Sequence, residues 1–300
     1  MSTEPKVAER ARTQSRDVEA GLDALQTSLP SSDAARAAAR RTLAKILAPV
    51  AAVVVLVLLW QFYVVMADKR ADLVPGPLDV LGSLSGLWQE GTVQEAVWTS
   101  LQRGVTGFLI STLIATPIGL LLCAVRPLRT ALGPLVSGLQ VLPSVAWVPA
   151  AVIWFGLSDA TVYFVLLMGA IPSIINGLVA GVDQVPDQFR RMGTVLGAGR
   201  LEMTLQIVLP AALPGYLAGL KQGWAFSWRS LMAAEIIAMG GSIGFGLGSL
   251  LQQGRDLSEM GTVMSAILLI LAVGIAVELL VFAPLERRLL RGRGLLVGSD

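Results

Sequence analysis

The sequence contains no histidine and a single cysteine, Cys123, among its 300 residues. Without histidine, the chain lacks the commonest general base, a Ser-His-Asp arrangement and the side chain that most transition-metal sites use. One cysteine cannot form an intramolecular disulfide framework or a cysteine-based metal cluster. These absences argue against most hydrolytic enzymes and metalloproteins.

Charged residues are also scarce. They make up 15% of the chain, whereas soluble domains contain about 25%, and 54% of the residues are hydrophobic. Water cannot solvate so much apolar surface, so lipid is the expected solvent. The formal net charge of +2 gives no indication of a nucleic-acid partner.

Apolar runs that can cross a bilayer core, which takes roughly 20 helical residues, occur six times. We therefore predict an all-α membrane protein with six transmembrane helices. The spans lie at about 46–66, 97–123, 131–156, 161–182, 212–238 and 261–283. The third span contains Pro134, Pro143 and Pro149. Because proline removes a backbone donor and kinks helices, we expect this span to be broken or partly re-entrant.

Lysine and arginine are distributed unequally between the segments that separate these spans. With the N-terminus in the cytoplasm, 17 of the 23 basic residues lie on the cytoplasmic side, three lie outside and three lie within spans. The positive-inside rule favours this orientation. We expect a multi-pass protein of the plasma membrane with a cytosolic tail at 1–45, a transmembrane domain at 46–285 and a basic cytosolic tail at 286–300.

Two outer segments carry distinct patterns. Residues 67–96 contain Pro75-Gly76-Pro77 and then an amphipathic stretch, which predicts a helix lying on the outer membrane surface. Residues 239–260 contain Gly244, Gly246 and Gly248, but the chain has no Gly-Lys-Ser/Thr sequence and so no Walker A loop. Any energy from ATP must therefore come from another chain.

The longest internal cytoplasmic segment, residues 183–210, predicts two short amphipathic helices around a glycine turn. Pro186 and Asp187 mark the start of the first helix. Gly197-Ala198-Gly199 is suited to a tight turn, and the second helix is expected to end at Pro210. An amphipathic element at the cytoplasmic surface fits a groove on a soluble partner.

The spacing in this segment resembles the signature loop of ATP-binding-cassette (ABC) importer permeases, Glu-Ala-Ala, three residues, Gly, nine residues, Ile-x-Leu-Pro. Here Gly197 precedes Ile207-Val208-Leu209-Pro210 by the same interval, whereas Arg191-Met192-Gly193 stands in place of Glu-Ala-Ala. The resemblance implies that the loop docks in a cleft of a separate cytosolic ATPase. The residues expected to couple to it are Arg190, Arg191, Gly193, Gly197, Ala198, Leu201, Ile207, Leu209 and Pro210.

Three further stretches resemble the nitrate, sulfonate and taurine permease subfamily. They are LPSVAWVPAAVIWFGLSDA (142–160), LPAALPGYLAGLKQGWAFSWRSLMAAEIIA (209–238) and GFGLGSLL (244–251). The resemblance covers about 75–290 and implies a type I importer permease, a non-catalytic subunit that works by alternating access.

The same resemblance implies the partners. They are a second permease copy, a dimer of ATPase subunits that hold ATP and Mg, and an extracytoplasmic binding protein that delivers a small oxyanion or organosulfonate. No cofactor is expected on this chain, and no enzymatic activity.

Charged residues within spans are costly and often functional. The candidate residues for a translocation path are Arg103, Trp224, Trp228, Arg229 and Glu235. The alternative is structural: the charges pair internally, for example Arg229 with Glu235, or snorkel near helix ends, and the two tryptophans pack against neighbouring helices. Gly215, Gly219 and Gly223 lie four residues apart and predict close helix packing. The loop carboxylates Asp159, Asp183, Asp187 and Glu202 show no catalytic spacing and are expected to be solvated or to cap helices.

Two other classes of function stay open at this point. A secondary transporter would need an ion site built from broken helices in paired repeats, and the sequence shows no such repeat. An intramembrane enzyme based on carboxylates would need two at bilayer depth, and the spans offer only Glu235 and Glu278.

Overall fold

A computed structural model describes residues 32–66, 73–241 and 243–292. All regular structure in these ranges is helical, as predicted from the apolar runs. The chain divides into two units, residues 1–68 and 69–300, and each is described by itself. Most of the tail predicted at 1–45, and the end of the tail predicted at 286–300, lie outside the described residues.

The first unit contains helix α1, Ser32–Met66. This helix begins at Ser32, well before the start of the predicted first span at residue 46. Its apolar portion is Val50–Met66, which is at the short end of the roughly 17–25 residues of a spanning helix.

The second unit contains helices α2 to α10 within the described ranges. These are α2 (Pro77–Gln89), α3 (Thr92–Ala124), α4 (Arg126–Val141), α5 (Val148–Phe155), α6 (Asp159–Asp183), α7 (Asp187–Val195), α8 (Arg200–Ile237), α9 (Leu247–Asp256) and α10 (Met260–Arg291). Helices α3, α6, α8 and α10 are each long and apolar enough to cross a bilayer, and they coincide with four predicted spans.

The third predicted span is broken, as its prolines indicated. Helix α4 ends at Val141, and a 3-10 turn at Ser144–Trp147 leads into α5. The segments Arg126–Val141 and Ser144–Phe155 are bent by 95° at this break. Pro143 lies between them and has no backbone N–H to continue the hydrogen-bond ladder.

Helix α8 corrects one prediction, because the helix expected to end at Pro210 continues to Ile237. Residues Met203–Val208 form a π-helical segment just before this proline. A π-turn rearranges the hydrogen bonds of a helix locally, which allows the chain to pass Pro210 without ending. The second helix predicted in segment 183–210 and the fifth predicted span are therefore one continuous helix.

The core of the second unit is the contact between α6 and α8, and α6 also packs on α3. At Gly219 an added Cβ would lie 2.5 Å from the Cα of Gly177, and at Gly215 it would lie 2.6 Å from the Cα of Gly181. Only glycine allows the two backbones to approach so closely. The close packing predicted from the glycine spacing is confirmed, and the partner is α6 of the same chain.

The helix predicted in segment 67–96 is α2. The backbone N–H of Gly76 donates to the Asp79 carboxylate at 2.9 Å and caps its first turn. Val80 is fully buried, and its carbonyl accepts a hydrogen bond from Ser265 of α10 at 3.2 Å. Trp88 is exposed, so α2 has one packed side and one open side, as an interfacial helix requires.

Candidate functional site

Arg103 of α3 is buried and lies at the centre of a charge network. Its guanidinium donates to Glu235 at 3.2 Å, to the carbonyl of Gly244 at 3.1 Å and to Asp159 at 2.5 Å. The side chain of Arg103 is 6% exposed and that of Glu235 is 0% exposed, whereas Asp159 is half exposed. One cation therefore joins α3, the start of α6 and the end of α8.

The glycine-rich segment after α8 is shaped around the Glu235 carboxylate. This carboxylate also accepts hydrogen bonds from the hydroxyl of Ser100 at 2.7 Å and from the backbone N–H of Gly248 at 3.0 Å. A Cβ added at Gly246 would collide with the carboxyl group. The backbone N–H of Leu247 donates to Ser100 at 2.8 Å. The Gly-Leu-Gly sequence thus satisfies a buried acid, and buried charges require such partners.

Arg229 of α8 has a different environment. Its side chain is exposed, its Nε donates to the carbonyl of Ala225 at 3.2 Å, and its guanidinium carbon lies 4.5 Å from the centre of the Phe226 ring. Among the described residues no carboxylate forms an ion pair with it. The predicted pairing of Arg229 with Glu235 is wrong, because Glu235 is enclosed by α3 and the glycine segment.

Two polar side chains lie with Arg229 in one largely apolar hollow. Arg229 lines a hollow of 240 Å³ together with Gln140 and Ser144, which lie at the break between α4 and α5. Gln140 accepts a hydrogen bond from Asn176 of α6 at 2.5 Å. The hydroxyls of Ser144 and Ser230 are hydrogen-bonded at 2.6 Å. Sequence reasoning missed Gln140, Ser144, Asn176 and Ser230. The polar side chains of Gln140 and Ser144 beside the Pro143 break were a usable signal for the first two.

Trp224 and Trp228 are buried and stacked, with ring centroids 6.0 Å apart and planes 19° apart. Phe108 of α3 meets Trp224 edge to face at 5.5 Å. The indole N–H of Trp228 donates to the carbonyl of Ile270 in α10 at 3.3 Å. The indoles therefore bind α3, α8 and α10 together. This arrangement favours packing for both, although they also border an open groove of 850 Å³ beside α10.

Further ion pairs join charged residues whose partners the sequence did not predict. The ammonium of Lys221 pairs with Glu278 of α10 and lies 3.8 Å from Glu286. Arg129 of α4 donates to Asp183 at the end of α6, at 2.8 and 2.5 Å. Asp159 and Asp183 were expected to be solvated or to cap helices, and both side chains stay about half exposed while each pairs with an arginine.

The hairpin, residues 187–202, consists of α7, a turn and the first turn of α8. Gly197 has a φ of +79°, which favours glycine, and the N–H of Ala198 donates to the carbonyl of Gly193 at 2.9 Å. Glu202 accepts a hydrogen bond from the N–H of Gly199 at 3.0 Å and caps α8. The predicted helix, glycine turn and helix are confirmed as local structure.

The remaining residues of the predicted coupling set divide into packed and open positions. Gly193 is buried, and a Cβ there would lie 2.5 Å from the Ile207 side chain. Leu201 and Pro210 are exposed and Leu209 is half-buried. The hairpin is thus anchored on one side by Gly193 and Ile207 and open on the other.

The described residues bring no three His, Cys, Asp or Glu side chains together as a metal site would require. The arrangement offers instead a cation in a hollow that also holds Gln140 and Ser144 and, separately, an exposed hairpin.

Comparison with known proteins identifies the class of protein to which this geometry belongs. Residues 107–291 match the family described as "Binding-protein-dependent transport system inner membrane component". The bicarbonate transport system permease protein CmpB of Synechococcus elongatus is 30% identical over 252 residues, which cover 80% of this chain and 88% of CmpB. The nitrate import permease protein NrtB of the same species is 27% identical over 233 residues, which cover 74% of this chain and 82% of NrtB.

Among solved structures, an inward-facing conformation of the MetNI methionine ABC transporter matches with a TM-score of 0.56 and 17% identity. The match covers 65% of this chain and 94% of the other, and it shows the fold. The chain therefore belongs to the family of binding-protein-dependent transport system inner membrane components, the non-catalytic, multi-pass permease subunits of ABC importers whose ATPase is a separate subunit.

Proposed function

We propose that this chain forms, with a second copy of itself, the translocation path of an ATP-driven importer for a small oxyanion. Arg229 carries the proposal. It is an exposed guanidinium within a spanning helix, and the described residues provide no carboxylate for it.

The energetics of Arg229 support a role in binding. An arginine at the centre of a membrane helix costs roughly 2.5–3.5 kcal/mol. The ring of Phe226 and one carbonyl satisfy part of the guanidinium, but both Nη groups lack a protein acceptor in the described structure. Two parallel N–H groups fit two oxygens of a planar anion. An anion in the hollow would therefore supply the hydrogen-bond acceptors that the protomer does not provide for the guanidinium.

The neighbouring side chains support a small polar cargo. Gln140 and Ser144 line the same hollow, and an amide and a hydroxyl can each donate to an oxyanion or accept from it. The relatives named for bicarbonate and nitrate transport handle planar oxyanions that carry one negative charge. We extend this class to the present chain, with sulfonates such as taurine as the further candidates.

The open face of α8 supports the second copy. Ala218, Gln222, Ala225 and Arg229 lie along one exposed stripe of the helix, three or four residues apart as one helix face requires. A single protomer leaves this stripe and the hollow beside Arg229 uncovered, so the path needs a second wall. A second copy facing the first would supply it and would bring two Arg229 side chains to the same path.

The orientation completes the proposal. Both termini and the cytoplasmic hairpin lie in the cytosol, as the distribution of basic residues favours. A binding protein delivers the anion at the opposite side, where α2 and α9 lie. ATPase subunits engage the hairpin, and the continuous rod of α8 carries its movement to Arg229.

Uptake into proteoliposomes that contain the permease, its ATPase and its binding protein tests the proposal. We expect ATP-dependent uptake of labelled nitrate, bicarbonate or taurine. Arg229→Gln should lower it by about 10- to 100-fold, because a hydrogen bond to a charged group contributes roughly 1.5–3 kcal/mol. Arg229→Lys should retain more, and Arg126→Gln, which changes an exposed arginine of α4, is the matched control. Full uptake by Arg229→Gln, or uptake that requires no ATP, would contradict the proposal.

A further inference from the structure

The tip of the cytoplasmic hairpin is an exposed apolar surface. Val195 is 87% exposed and Leu196 is 82% exposed, and Met192 and Leu201 are also open. Side chains of this size rarely stay in water together unless another protein or a membrane covers them. The tip therefore has the character of a contact surface.

Uncompensated positive charge borders this apolar tip. Arg191 of α7 and Arg200 at the start of α8 are exposed, and neither forms an ion pair within the described part of the chain. Of the two acids of the hairpin, Glu202 is engaged as the cap of Gly199, and the exposed Asp187, one helix turn before Arg191, forms no ion pair among the described residues. Arg190 turns back to the carbonyl of Val182 at 3.4 Å. The hairpin thus presents two positive charges outward, at Arg191 and Arg200.

The hairpin presents these groups in a fixed geometry. The turn is closed by the hydrogen bond from Ala198 to Gly193 at 2.9 Å, and Gly193 lies directly against Met203 and Ile207. A preformed element loses little conformational freedom on binding. A complementary groove on a partner can therefore recognise the fixed positions of Arg191 and Arg200 relative to the apolar tip.

We propose that the ATPase subunit that receives this hairpin has a groove with an apolar floor and carboxylates on its rim, facing Arg191 and Arg200. The inference rests on the proposed ATP-driven function and adds the chemistry of the partner. The signature loop has glutamate at the position of Arg191, so the charge at this contact is reversed here. Complementary charge steers association and fixes register.

The reversed charge also excludes other ATPases. A groove that presents a cation to the signature glutamate would bring that cation against Arg191. Like charges placed together at an interface are unfavourable and discriminate between partners. The permease therefore selects the ATPase with the acidic rim.

Binding between the detergent-purified permease and the MgATP-hydrolysing subunit that co-purifies with it tests this chemistry. We expect Arg191→Glu and Arg200→Glu each to raise the Kd by about tenfold or more, and the association rate of the parent protein to fall as salt rises. Arg191→Gln, which removes the charge without reversing it, should have a smaller effect. Arg287→Glu, an equal change of charge near the end of α10, should leave the Kd unchanged.

The outcomes separate the two proposals. If the ATPase binds the parent and all three hairpin variants equally well, and binding is indifferent to salt, the acidic rim is excluded while ATP-driven function stands. If no ATPase co-purifies and uptake proceeds without ATP, the function itself is overturned. A carboxylate-to-arginine change on the ATPase that restores binding to Arg191→Glu would establish the facing pair.

Discussion

Glu235 and Arg229 lie six residues apart on α8, yet the helix places them in opposite environments. Glu235 is fully buried and accepts hydrogen bonds from Arg103, Ser100 and Gly248. Arg229 is open on the protomer surface and has one carbonyl and one ring as partners in the described structure. The comparison teaches that a charge within a span can serve the fold or a ligand, and that packing decides which.

The stability of the buried network around Glu235 depends on complete pairing of its charges. Removing one member of a buried ion pair leaves an uncompensated charge, which is more costly than the pair itself was favourable. Glu235 of α8 contacts α3 through Arg103 and Ser100 and the glycine segment through Gly248, so the network also fixes where these three parts of the chain meet.

Arg103→Met should therefore have the largest effect on stability. The change strands the buried Glu235 carboxylate and also removes the partner of Asp159. We expect a loss of about 3–5 kcal/mol in the free energy of unfolding, measured by thermal or denaturant unfolding in detergent. Arg126→Met, at an exposed arginine in α4, is the control and should change little. Equal stability of the two variants would mean that the buried Arg103 contributes no more to the fold than the exposed Arg126.

Gly219→Ala, a change on the packed side of α8, should have an intermediate effect on the free energy of unfolding. The new methyl would meet the backbone of Gly177, which cannot rotate away as a side chain can. We expect a loss of about 1–3 kcal/mol in the same unfolding measurement. At Gly82 of α2 an added Cβ meets nothing within 4 Å. Gly82→Ala should therefore be neutral or stabilise by up to about 1 kcal/mol, and a loss like that of Gly219→Ala would argue against close contact as the cause.

Local features of the fold follow from the sequence because their signals are local. The spans follow from apolar runs, the broken third span from Pro143, and the hairpin turn from Gly197. The passage of α8 through Pro210 does not follow, because proline usually ends a helix and only the π-helical segment shows otherwise.

Pairings between distant residues could not be predicted. Arg103 and Glu235 are 132 residues apart in the sequence, and the rotation of each helix decides whether their side chains meet. Residues six apart do not share a helix face, so spacing could have excluded Arg229 as the partner of Glu235, but it could not have named Arg103. The hollow beside Arg229 needs α4, α6 and α8 together, so the sequence could suggest the arginine but not Gln140 or Asn176 beside it.

Arg229→Gln should have the smallest effect on stability, although it removes a charge from the same helix as Glu235. The guanidinium contributes one hydrogen bond within its own helix turn and a ring contact. Changes at such open sites usually alter the free energy of unfolding by no more than about 0.5 kcal/mol. We expect an unchanged unfolding curve in detergent together with the loss of anion uptake. A loss of stability comparable with that of Arg103→Met would mean that the fold depends on Arg229, and its charge could then no longer be assigned to the transported anion.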